Sequence, residues 1–316
     1  MKLGILTHYQ HSLDRSLEQI TATCLNKGIE VEVINPLNIN LATGFSPNVA
    51  FGFPKVDAII TRCDIDSICT VEAEAYFKAM TYYEALNIPI INNEQAIRIS
   101  QDKMLTHQML TVQGVATPKS FLSNSLDSCI EVAKSHFGYP LIGKAIYGGR
   151  GEDVVKILNE SELVSFYKKL HAENKTIFIQ EFVKTERTEV GGYKSYRTIV
   201  GRNEDNAPVV FACYEKQSVP PDFRTSMLCG ATANRLKEAD EGILDISRKA
   251  LDALQADLTA IDLLKDNEGN IYVLESNICF YCIDEMVDFI GTNIWDSIVD
   301  YQLKSFEKLK LVTEVV

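Results

Sequence analysis

The chain has 316 residues, 46% hydrophobic and 23% charged, and 43 acidic against 31 basic side chains give a net charge of −12. That composition supports a large core and more than one domain, and the acidic balance argues against non-specific nucleic-acid binding. No run of 18 apolar residues occurs, so no membrane-spanning helix is expected.

The opening MKLGILTHYQH carries one Lys and too few apolar residues for a signal peptide. A cytoplasmic protein with reduced cysteines is therefore expected. Cys279 and Cys282 form an isolated C-x-x-C, and the nearest other cysteine is Cys229. Zinc would need two more ligands, so buried thiols are the expected reading.

In chain order, KLGILTHY reads as a buried strand and LDRSLEQITATCLNKG as a helix closed by Gly28. EVEVINP, DAIITR and IPIIN read as further strands, with VEAEAYFKAMTYYEAL as a helix before the last. Strands alternating with helices predict a parallel sheet with crossover helices, ending near Asn93. No G-x-G-x-x-G follows the first strand, so a dinucleotide fingerprint is absent.

A second unit opens at SQDKMLTHQMLTVQGVATPKSFL, where Ser100 is placed to cap a helix that stops at Gly114. YPLIGKAIYGGRGEDVVKI predicts two strands joined by a glycine-rich turn. SELVSFYKKLHA predicts a helix and TIFIQEFV a strand. A third unit runs from about Thr185 to the end, and Lys184 to Gly192 is the expected junction. It contains strands KSYRTIVG and PVVFACYE, a loop with PPDFRTS, and the helix DEGILDISRKALDALQ. Strands LTAIDLLK and NIYVLESN follow, then a final helix over residues 292–310. There are no repeats and no low-complexity linker.

Three constellations carry chemistry. DNEG, residues 266–269, is a turn composition, so AIDLL and IYVLESN predict a hairpin. Asp262 and Glu275 then lie on neighbouring strands, where two carboxylates repel unless a cation sits between them. Asn277, two residues beyond Glu275, shares its face. Two carboxylates and an amide oxygen suit Mg²⁺; the competing reading pairs each acid separately with Lys or Arg.

The second constellation is GKAIYGGRGED, with Lys144 in a strand and Gly148, Gly149 and Gly151 after it. Such a loop admits close approach of backbone N–H groups to phosphate, although no Walker A G-K-[ST] follows, and a plain glycine-rich hairpin has the same composition. The third is FIQEFV, where Gln180 and Glu181 end an apolar strand at the junction. A strand edge there offers backbone groups to an adenine, and a plain buried strand is the alternative.

The order of these elements is itself a signature: Asp102-Lys103, Lys144, the glycine loop, QEF, DFR, Asp262 and ESN. In that order the chain resembles the ATP-grasp superfamily, and most of all its RimK-like branch of ribosomal-protein glutamate ligases and related amino-acid or peptide ligases. The resemblance covers nearly the whole chain. It implies an α/β plus α+β architecture with an N-terminal Rossmann-like domain (1–96), a central ATP-grasp lobe (97–184) and a C-terminal lobe with a metal site (185–316). ATP is then clasped between the two α+β lobes.

By the same resemblance, Lys103 and Lys144 match the nucleotide-binding lysines, and Gln180, Glu181, Phe182 and Val183 match the adenine-holding hinge. Asp262, Glu275 and Asn277 match ligands of two Mg²⁺ ions, with Mn²⁺ as a substitute. Arg224 in PDFR and Arg197 in SYRTIVG match arginines that face phosphate or the acyl intermediate. The implied reaction joins a carboxylate to an amine through an acylphosphate, releasing ADP and phosphate. Its substrate is an amino acid, a peptide or a protein end. No nucleic acid or membrane partner is implied, and homo-oligomerisation is left open.

Departures fall on the acceptor side. The family's N-x-S-P-G turn is replaced by SNICFYCIDEMVDF, without Pro or Gly. Ser195 stands for the Asp of D-x-R, Ser226 for the Asn after DFR, and Cys229 for an Arg before GG. Two alternatives to a free-standing ligase are a precursor-peptide tailoring or macrocyclising enzyme and a non-catalytic nucleotide-binding regulator.

Overall fold

The computed structural model describes residues 1–7, 15–39, 52–62, 70–147, 154–280 and 293–313. Gly148, Gly149, Gly151, Tyr281 and Cys282 lie outside the described residues. Three sheets organise the rest.

The first sheet contains β1 (Lys2–Thr7), β2 (Glu30–Ile34), β3 (Ala58–Arg62) and β4 (Ile90–Ile91), all parallel, in the order β2-β1-β3-β4. Helices α1 (Arg15–Asn26) and α2 (Thr70–Ala85) belong to its crossovers. The near-continuous apolar runs of β1 and β3 are what a sheet covered on both faces requires.

Two helices follow, α3 (Glu94–Gln101) and α4 (Lys103–Val112). The expected cap at Ser100 is not formed. Ser100 ends up inside α3, its hydroxyl bonded to the Ser276 hydroxyl at 2.9 Å. Asp102 caps α4 instead, accepting from the Met104 and Leu105 N–H groups at 2.9 Å each. A carboxylate is both a better acceptor than a hydroxyl and favoured by the helix dipole at this end. The stop at Gly114 holds, with φ +71°.

The second sheet is antiparallel, in the order β5-β8-β6-β7, from β5 (Ser120–Ser123), β6 (Leu141–Ala145), β7 (Val155–Ile157) and β8 (Ile177–Glu181). With α5 (Leu126–Val132) and α6 (Glu160–Ala172) it closes a core of its own around Leu141, Ile157, Leu163, Phe166 and Ile179. Gly143 is required there, because a Cβ would lie 2.6 Å from the Phe166 ring.

The third sheet is antiparallel, in the order β11-β10-β9-β12-β13. Its strands are β9 (Lys194–Arg202), β10 (Pro208–Gln217), β11 (Thr232–Arg235), β12 (Leu258–Lys265) and β13 (Ile271–Asn277). Helices α7 (Glu241–Ala253) and α8 (Ile294–Thr313) complete the description. Val200, Cys213, Ile261, Leu263 and Val273 share a core with Ile243, Ala250 and Leu251 of α7. Ile199, Ala212, Leu258 and Ala260 instead join Trp295 and Ile298 of α8 and Leu3, Ile5 and Ile60 of the first sheet. The first and third sheets therefore share apolar cores, while the second keeps its own.

Phe280 falls in that shared core at 3% exposure, and Arg62 of β3 donates to its carbonyl oxygen at 2.9 Å. Phe280 thus fills the core beneath the final helix. Phe280→Ala is expected to lower unfolding stability by about 3–5 kcal/mol, measured by denaturant titration. A loss below about 1 kcal/mol would show that the ring is not packed as described.

Candidate active site

Three charged residues of the third sheet stand in one row. Arg197 of β9 pairs with Asp262 of β12, and Asp262 pairs with Glu275 of β13. Register partners on adjacent strands project to the same face. Arg197 donates from Nε and Nη2 to the two oxygens of Asp262 at 2.7 and 2.6 Å, a bidentate pair. Lys216 of β10 donates to Asp262 Oδ1 at 2.8 Å. Burial alone would raise the Asp262 carboxyl, but the two cations outweigh it and hold the group well below the usual carboxylate range.

A β-bulge puts Glu275 in this row. Asp262 opposes Glu275, whereas Leu263 opposes Val273, leaving Leu274 as an extra residue on β13. Val273 therefore turns into the α7 core while Glu275 turns toward Asp262. Asn277 Nδ2 donates to Glu275 Oε1 at 3.5 Å.

Across from this row stand the two lysines. Lys103, at the start of α4, donates to the Ile146 carbonyl at 3.2 Å. Lys144 on β6 is buried and donates to Gln180 Oε1 at 3.0 Å. Burial lowers the Lys144 ammonium to about 8; Glu275 and Asp262 pull it up, and Lys103 pushes it further down. Hydrogen bonds tie Lys144 to the row: it reaches Gln180, which lies 3.5 Å from His107, and His107 meets the carbonyl of Leu274 beside Glu275.

The hinge segment divides by role. Gln180 points its amide oxygen at Lys144, while its backbone pairs with β5 and β6. Glu181 closes a local ring, its amide bonded to the Lys119 carbonyl and its carboxylate accepting from the Lys119 N–H at 2.8 Å. Phe182 leaves the strand and meets Tyr193 edge-on at 5.6 Å, with Lys156 Nζ 4.1 Å from its ring centre. Val183 is half-buried beside it.

Arg224 is engaged by Asp222, two residues earlier, from Nη2 at 2.8 Å. With Lys156, Phe223 and Val155 it lines a cleft of about 690 Å³ between β7 and the loop after β10. Ser195, where the family has Asp, ties this loop to β9 through a 2.6 Å bond to the Thr225 hydroxyl.

The residues fit a divalent cation. Among the described residues no three His, Cys, Asp or Glu side chains form a metal cluster, but an amide oxygen completes a hard-oxygen set here. Two carboxyl groups on paired residues of adjacent strands repel unless a proton or a cation sits between them. Asp262 spends Oδ1 on two donors and Oδ2 on one, which leaves Oδ2 a lone pair for an ion.

A profile of the RimK-like ATP-grasp domain matches residues 100–301, well over half of the chain. The chain belongs to the RimK-like ATP-grasp family. Among its relatives, a probable alpha-L-glutamate ligase of Enterobacter sp. (strain 638) is 28% identical over 281 residues, covering 88% of this chain and 87% of the relative. The ribosomal protein bS6–L-glutamate ligase of Escherichia fergusonii is 27% identical with the same coverage. A RimK domain ATP-grasp protein of Sphaerobacter thermophilus superposes with a TM-score of 0.67 at 12% identity, over 96% of this chain and all of that one. The ATP-grasp ligase PsnB, solved with a minimal precursor, gives 0.70 at 15% identity, over 96% and 98%. The RimK-like ATP-grasp chain is accordingly a carboxylate–amine ligase of glutamate-ligase type, in a family that uses ATP and Mg²⁺. No helix among the described residues is long and apolar enough to cross a membrane.

Lys216, Ser120 and His107 escaped the sequence reading. Lys216 carried a usable signal, a charge inside the apolar strand PVVFACYEKQ, the same anomaly that marks Asp262. His107 carried only its position one helical turn beyond Lys103.

Proposed function

We propose that this RimK-like ATP-grasp protein joins a substrate carboxylate to an amine through an acylphosphate. The observation that carries the reading is the Arg197–Asp262–Glu275 row facing Lys144 and Lys103. Lys103 and Lys144 neutralise the nucleotide phosphates, and the masked-off charge lets a carboxylate approach the γ-phosphate. Gly148, Gly149 and Gly151 supply backbone N–H groups over those phosphates. The adenine sits against Gln180, Glu181, Phe182 and Val183 at the strand end. Asp262 Oδ2, Glu275 and Asn277 hold one or two Mg²⁺ ions, replaceable by Mn²⁺. Bound there, the metal supplies charge neutralisation between the phosphate oxygens.

The chemistry then needs positioning rather than a protein nucleophile. The substrate carboxylate displaces ADP from the γ-phosphoryl group, and the amine displaces phosphate from the resulting acylphosphate. Arg224 and Arg197 face the transferring group from the cleft and the sheet row. We read the chain as three domains, 1–96, 97–184 and 185–316, acting in the cytoplasm; the five described cysteines are all free. The acceptor is a peptide or protein end, a reading supported by the ribosomal-protein specificity named for one relative. An ADP-release screen over amino acids, peptides and ribosomal proteins, with product masses, tests it. ADP release without any amide product would overturn it.

Lys144 makes a pH-dependent prediction. With its pKa near 8, the lysine is charged at neutral pH and must take up a proton to bind phosphate in alkali. Nucleotide affinity is expected to fall above pH 8, by up to about tenfold per pH unit. Lys144→Met is expected to weaken binding at pH 7 and to abolish that slope. Calorimetry showing equal affinity for both proteins at pH 7 would remove Lys144 from the phosphate site.

A further inference from the structure

A chain of buried polar groups runs behind Lys144, from the second sheet to the third. Lys144 Nζ donates to Gln180 Oε1 at 3.0 Å. The Gln180 amide nitrogen then faces Ser120 Oγ at 3.1 Å. Ser120 Oγ lies 3.2 Å from His107 Nδ1, and His107 Nε2 lies 3.1 Å from the Leu274 carbonyl. Gln180 and His107 are 1% and 4% exposed.

The partners constrain the protons. A carbonyl only accepts, so His107 Nε2 carries the hydrogen given to Leu274. Burial lowers the His107 pKa to about 4, so the ring is neutral and Nδ1 is an acceptor. The Ser120 hydroxyl hydrogen is shared between the Pro118 carbonyl, 2.9 Å away, and that nitrogen, while its lone pair receives the Gln180 amide. Gln180 must then present oxygen, not NH₂, to the ammonium. Reversing the amide would set two donors against each other. Leu274 is the residue that the bulge extrudes from the β12–β13 ladder, which frees its carbonyl for this bond.

We propose that His107 is a positioning residue: through Ser120 and Gln180 it fixes the direction of the Lys144 ammonium and ties it to the strand that carries Glu275. The inference rests on the reading of Lys144 as a phosphate contact. Lys103 and His107 lie one turn apart on α4, so a single helix face sets both lysines against the third sheet. The relay aligns the phosphate-facing lysine of one lobe with the acid of the other before nucleotide arrives, which is preorganisation of charge.

The test measures ADP–Mg²⁺ affinity by calorimetry for the full chain, alongside thermal unfolding. His107→Leu and Ser120→Ala are each expected to weaken binding by about tenfold while the protein stays folded. In a Lys144→Met background neither change is expected to weaken binding further, because the relay ends on that lysine. His107→Asn, whose amide oxygen can accept from Ser120, is expected to recover part of the loss. If His107→Leu fails to fold, the Ser120→Ala and Lys144→Met cycle decides alone. Unchanged affinity in Ser120→Ala, or additive losses in the Lys144→Met background, would overturn the inference. Unchanged affinity in Lys144→Met itself would instead overturn the phosphate reading beneath it.

Discussion

Glu275→Gln is expected to leave the protein folded and to cut ADP formation at saturating Mg²⁺ by roughly 10²- to 10³-fold. The substitution keeps size and one acceptor oxygen but removes the charge that a cation between Glu275 and Asp262 requires. The packing around it is undemanding, since Glu275 is only half-buried and Val273, not Glu275, carries the core contact. Thermal unfolding should therefore move little. Turnover near that of the unaltered protein would remove Glu275 from the metal site and leave it as a companion of Asn277.

Asp262→Ala should act on stability as well as turnover. It strands Arg197 and Lys216 beside each other, their shared carboxylate gone. Breaking a buried pair from one side costs about 3–5 kcal/mol, because the remaining charge keeps its desolvation penalty. Denaturant titration should show a loss of that size. The triple change Arg197→Leu, Lys216→Met and Asp262→Leu should recover most of it, since an apolar row has no stranded charge. That protein should also be inactive. A loss below about 1 kcal/mol in Asp262→Ala would mean that water reaches both cations and that the triad is not buried as described.

Much of this architecture could be read from residues alone. The βαβ alternation up to Asn93 forecast the parallel first sheet because apolar runs and helical periodicity are local signals. The hairpin at DNEG was legible for the same reason, and Asp266 indeed accepts from Glu268 and Asn270 in that turn. Asp262 and Glu275 stood out because a charge within an apolar strand is costly without a partner. Short or polar elements were not legible: β5, α5 and β11 lack a sustained period.

Composition and spacing therefore determined the parallel first sheet, the division into three units, the hairpin that brings Asp262 and Glu275 together, and the order of nucleotide-side residues. Only the tertiary structure decided how their side chains are directed. By strict alternation Val273 and Glu275 would share a face, and one of them would be misplaced; the bulge at Leu274 separates them. The partners of Asp262 come from β9 and β10, and those of His107 from β5, β8 and β13. Contacts between residues 107 and 274, or 197 and 262, leave no periodic trace in sequence. They form only when strand pairing and apolar packing bring distant polar groups within hydrogen-bond reach, where burial makes each partner obligatory.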